Sequence, residues 1–77
     1  MAYLITSLNP TKALAVDEVN GTTTYIGMAK AGTAAGDSKW QIRRITKTGT
    51  VTIFEFADGN DRYDNEWDNR ATTVVYS

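Results

Sequence analysis

Asp58, Asp61, Asp64, Glu66 and Asp68, five of the nine acidic residues in this 77-residue chain, crowd into one short segment. Carboxylates at that density can bind a hard cation, act as an acid–base pair on a glycosidic bond, or cap backbone N–H groups in a tight corner. Tyr63 and Trp67 stand four residues apart among them. With Trp40 they offer the further option of stacking on a sugar. A calcium loop of the EF-hand kind fails on turn chemistry. Counted from Asp58, its sixth position needs glycine and its twelfth glutamate, where this chain has Tyr63 and Asn69. Cysteine and histidine are both absent, which removes disulfides, Cys/His zinc sites and every triad built on an imidazole or thiolate. A hydrolase would have to use carboxylates alone, on a rigid concave scaffold. A chain this short, with a core to fill, has little left for that.

The residues therefore read as a structural corner made of Asp58, Tyr63, Asp64, Trp67, Asp68 and Arg70. Asp58-Gly59-Asn60 is expected to turn, and residues 64–69 to form a short helical turn. Asp64 and Asp68 would accept backbone N–H bonds or pair with Arg62 and Arg70. Tyr63 and Trp67 would pack downwards, one turn apart. No catalytic residue, metal ligand or cofactor is assigned. Glycan binding through exposed aromatics stays open as the alternative.

The elements that must hold this corner read as strands. Pro10 follows Asn9 and marks a turn or the end of an arm. Lys12 to Val19 is a strand, and Asn20-Gly21 predicts a type I′ hairpin. Pairing outward from it sets Val16 opposite Tyr25 and Ala15 opposite Ile26. Thr22 to Met28 returns, with three consecutive threonines favouring β structure. Residues 31–38 are small and polar, which predicts a long, mobile loop. Lys39 to Thr46 opens the next strand, where the Arg43-Arg44 pair breaks the alternation. A β-bulge aiming one arginine at the acidic corner explains that break. Gly49 closes a hairpin loop in the left-handed position. Thr50 to Phe56 is apolar on both faces, as a central strand is, and Ala71 to Tyr76 is a last strand. The expected architecture is all-β: a small antiparallel sandwich or partly open barrel of five to six strands, in one domain spanning residues 1–77.

A single core of this size supplies roughly 3–5 kcal/mol of net stability, so such chains lean on reinforcement. With disulfides excluded, assembly with other chains is the expected one. The segment from Asp58 to Asn69 carries a net −4 and the rest of the chain +3, a separation that suits contacts between identical subunits. Residues 1–10 read as an N-terminal arm, with Tyr3, Leu4 and Ile5 as subunit-interface residues. The net charge of −1 leaves no basic footprint for nucleic acid. Neither a signal peptide nor an apolar run of membrane-spanning length is visible, so a cytosolic origin and no membrane partner are expected.

From Tyr25 onward the chain carries Tyr25-Ile26-Gly27, then Gly32-Thr33-Ala34, then Trp40-Gln41-Ile42. Ala57-Asp58-Gly59-Asn60 and Asp64-Asn65-x-Trp67-Asp68-Asn69-Arg70-Ala71 follow. In this order the motifs resemble a group of very small proteins encoded in tailed-bacteriophage genomes, in which phenylalanine stands at the position of Tyr63. The resemblance implies a phage origin and a virion component, in contact with its own copies and other virion proteins. It implies no activity and transfers no functional residue.

Overall fold

The structure of the protein, a computed structural model, describes residues 12–77. Four strands follow in order: β1 Lys12–Glu18, β2 Thr23–Lys30, β3 Gln41–Thr48 and β4 Val51–Phe56. They form one antiparallel sheet ordered β1-β2-β3-β4. Among the described residues the one helical element is a 3₁₀ turn at Trp67–Asn69. The chain is all-β as expected, with four strands in a single open sheet rather than five or six in a sandwich or barrel. The expected last strand is reduced to a bridge between Ala57 and Tyr76. The N–H groups of Thr72, Thr73 and Val74 all turn back to the Asn69 carbonyl, so the helical turn outcompetes the β-branched residues that follow it.

Asn20-Gly21 reverses the chain by a different device from a type I′ turn. Asn20 Oδ1 accepts the Thr22 N–H at 2.8 Å, the Thr22 hydroxyl at 2.7 Å and the Thr23 N–H at 3.0 Å. Gly21 stays out of the left-handed region. This wider Asx-type turn pairs Val16 with Ile26 and Asp17 with Tyr25, one residue away from the expected register. The slip exchanges faces, so Asp17 rather than Val16 stands beside Tyr25. The type I′ geometry appears instead at Ala57–Asn60, where Asp58 and Gly59 have φ of 58° and 70° and the Asn60 N–H donates to the Ala57 carbonyl.

β3 has no bulge. Its pairing with β2 runs without a gap from Thr23↔Thr46 to Met28↔Gln41. The alternation only looks broken because Arg44 takes an inward position and Ile45 an outward one.

One face of the sheet carries small side chains: Ala13 and Ala15 on β1, Gly27 and Ala29 on β2. They form a shallow trough, and the segment after β4 lies in it. Ala29, Trp40, Ile42 and Ala57 make the core, with Ala13, Ala15, Trp67, Val74 and Tyr76 packed against them. The two indoles fill the trough, their centroids 5.7 Å apart and planes tilted by 35°. Such pairs contribute about 0.5–1.5 kcal/mol beyond their buried area. Gly27 makes this possible. A Cβ there would lie 2.5 Å from Trp67 Cε3 and 3.0 Å from Trp40 Cε3.

Candidate functional site

The acidic segment wraps one end of the sheet without converging. The Asp58 N–H donates to the Val75 carbonyl at 2.6 Å, fastening the turn to the C-terminal residues. Asp64 Oδ1 accepts the side-chain amide of buried Asn65. The Asn65 backbone exchanges both hydrogen bonds with Trp40, at 2.9 and 3.1 Å. The N-cap of the 3₁₀ turn is Glu66, with no side-chain capping bond. Asp68 acts through its backbone, its N–H donating to the Ala35 carbonyl at 3.2 Å. Among the described residues no backbone N–H donates to the Asp64 or Asp68 carboxylate, as capping would require. In and beside the corner, the side chains that brace backbone N–H groups are Asn60, on Arg62, and Asp37 of the preceding loop, on Ala34. Among the described residues no group of three or more acidic side chains could hold a metal ion.

Tyr63, expected to pack one helical turn from Trp67, precedes the 3₁₀ turn that contains Trp67. It is 41% exposed. Trp67 is partly buried over Gly27, and the Arg70 guanidinium covers its ring at 4.4 Å. Arg70 also pairs with Asp17 on β1 at 2.9 Å and donates to the Trp67 carbonyl at 3.0 Å. Its partner is therefore a strand residue 53 positions away in sequence, not Asp64 or Asp68. Arg44 pairs with Glu55 at 2.7 Å and lies 4.8 Å above the Tyr76 ring; neither it nor Arg43 reaches the acidic segment through an ion pair. The Tyr76 hydroxyl donates to the Arg70 carbonyl at 2.8 Å. Burial, reinforced by the neighbouring Tyr25, pushes its pKa up to about 12. These contacts lock the cover onto the sheet through Arg70 and Tyr76.

The other face of the sheet is different. Leu14 and Val16, Ile26 and Met28, Ile45, Phe54 and Phe56 alternate onto it, and none of them is buried. Arg43 stands among them, its guanidinium 5.1 Å from the Phe56 ring and bonded to Gln41 Oε1. Arg43 Nε is buried without a hydrogen-bond partner. At one margin Gln41 is covered, and its amide donates to the Asp61 carbonyl.

β4 forms the margin of this face and of the sheet. Sequence placed it centrally, yet it is last in the strand order. Val51, Ile53 and Phe54 are 55%, 47% and 62% exposed. Residues 75–77 pair with its far end: Phe56 and Ser77 exchange N–H···O bonds of 3.1 and 3.2 Å. Among the described residues nothing bonds to the outer edge from Val51 to Glu55. Tyr3, Leu4 and Ile5, the expected interface residues, lie outside the described residues.

Comparison of the chain with protein-family models, with curated proteins and with solved structures found no match. Among the described residues no helix is long and apolar enough to cross a membrane. Sequence reasoning missed Asp17, Gly27 and the bare β4 edge. Gly27 carried a readable signal, since an isolated glycine inside a strand pattern marks a close approach. The Asp17–Arg70 pair carried none, because it depends on the hairpin register.

Proposed function

We propose that this chain is a non-enzymatic structural protein that assembles in many copies on a tailed-phage particle, as capsid decoration or as a head–tail or tail accessory protein. The carrying observation is the surface around β4. A whole sheet face of aliphatic and aromatic side chains lies outside the core, and its margin is an apolar edge strand. Contiguous apolar surface of this kind marks interaction sites in small soluble domains. The acidic residues serve turns and backbone contacts, and the two tryptophans are spent on packing, which leaves a glycan reading without its main platform. The assignment to a phage rests on the motif series from Tyr25 to Ala71. Mass spectrometry of purified particles of the encoding phage, with electron microscopy of the same sample, tests it. Many copies per particle are expected. Particles that lack the chain while it accumulates in the infected cell would overturn the reading.

A further inference from the structure

β4 combines two properties that do not belong together in a finished sheet. Its sequence Val51-Thr52-Ile53-Phe54-Glu55-Phe56 is apolar on both faces, the pattern of a strand flanked on both sides. Its position is an edge. Edge strands ordinarily carry lysine, proline or a bulge that blocks further pairing, and β4 has none of these. Its one charge, Glu55, is neutralised by Arg44. Phe56 turns its N–H and C=O outward to Ser77. By strand alternation the Phe54 and Thr52 groups point the same way, so the row begun by residues 75–77 can continue along 51–55.

We propose that this edge is an acceptor for the Tyr3–Ser7 segment of a neighbouring copy, which adds to β4 as a fifth strand. The inference rests on the assembly reading above and names its contact. Tyr3-Leu4-Ile5-Thr6 is rich in strand-forming residues, and no charged side chain occurs before Lys12. A neutral, apolar strand therefore meets a neutral, apolar edge. Reach excludes the same copy as donor. Ile5 is seven residues from Lys12, a span of at most about 25 Å fully extended. β1 and β4 lie at opposite margins, and Phe54 is level with Glu18 through the paired registers. Placing Ile5 beside Phe54 thus needs about 19 Å across the strands and about 20 Å along them, close to 28 Å in all. Pairing of two β4 edges is disfavoured too. Centred on Ile53, it would set Phe56 opposite the partner's Thr50, and the Ser77 bonded outside Phe56 would fall on that turn.

The chain contains no cysteine, so engineered thiols report contacts cleanly. The test oxidises an equimolar mixture of Ile5→Cys and Phe54→Cys proteins, with Thr52→Cys in place of Phe54→Cys to allow for register. It also oxidises the Ile5→Cys/Phe54→Cys double variant. Mixed disulfide dimers from the singles, and a ladder of covalent oligomers from the double variant, are expected. In sedimentation, deleting residues 1–7 and the substitution Phe54→Pro, which removes an outward N–H, should each convert oligomers to folded monomers. An intrachain loop in place of the ladder, or a wild-type chain that is monomeric throughout, overturns strand donation. So do oligomers that survive both changes; if such variants still enter particles, the structural role stands without this contact. Particles lacking even the wild-type chain would instead remove the structural role itself.

Discussion

Replacing Gly27 with alanine tests the trough directly. The added methyl would sit 2.5 Å from Trp67 Cε3 and 2.7 Å from Cζ3, where carbon atoms rest at about 3.5–4.0 Å. The Trp67 ring must therefore lift by roughly 1–1.5 Å. Lifting it loosens the contact with Trp40 and pulls on Arg70, which holds both the ring and Asp17. Overpacking of this kind costs about 1–3 kcal/mol. Alanine gives back about 0.4–1 kcal/mol by restricting the unfolded chain, for a net loss of about 1–2 kcal/mol. In a domain of this size that lowers Tm by about 5–15 °C. Thermal melts followed by circular dichroism read the loss, and a red shift of tryptophan emission reads the lifted ring. In a Trp67→Leu background the clashing ring atoms are gone, so Gly27→Ala should be close to neutral there. Equal cost in both backgrounds, or a raised Tm in the wild type, would refute the trough.

Arg70→Ala removes an ion pair whose side chains are only about a quarter exposed, together with the cation over Trp67, and should cost about 1–2 kcal/mol in denaturant melts; Asp17→Ala should reproduce part of that loss, and an unaffected Asp17 variant would break the link. Asp64→Asn and Asp68→Asn should each change stability by less than about 0.5 kcal/mol, as substitutions away from core and caps do. A loss well above that would return the carboxylates to a bracing role. Tyr76 has a folded pKa raised from 10.0 to about 12, so its contribution is complete below about pH 10. Between there and about pH 12 the unfolded chain gives up the proton first, and stability falls as pH rises. Tyr76→Phe should flatten that fall in denaturant midpoints measured across the range, and a slope unchanged by the substitution would reject the assignment.

What could be read from the chain was local. Alternation, threonine-rich stretches and turn residues placed four of the strands, because each of those signals acts within a few residues. Register was not local in the same sense. Asn20-Gly21 offers the composition of a type I′ turn, and the Asn20 side chain instead stabilises a wider one through Thr22 and Thr23. Every face assignment on β1 turns on that choice, and with it the partner of Arg70. The corner showed a similar limit: five carboxylates within eleven residues declare that the segment is polar, but the side chain that braces a backbone N–H inside it is Asn60. β4 was misplaced for a more instructive reason. Its composition is that of an interior strand, and hydrophobic pattern reports the surroundings a strand is suited to, including those another subunit supplies.

The meander also has a bearing on the order in which the chain organises. All three strand pairings join neighbours in sequence, so each closes only a short loop. The Asp17–Arg70 clamp and the seating of Trp67 over Gly27 close loops several times longer. Ordering those ends is entropically worthwhile only once the trough exists to receive the indole. The hairpins are then the nucleus, and the cover docks on the downhill side of the barrier. Truncations at Trp67 and Arg70 should accelerate unfolding and leave the refolding rate nearly unchanged. Refolding slowed in proportion to the lost stability would mean that the cover, and not the sheet, is what the chain assembles first.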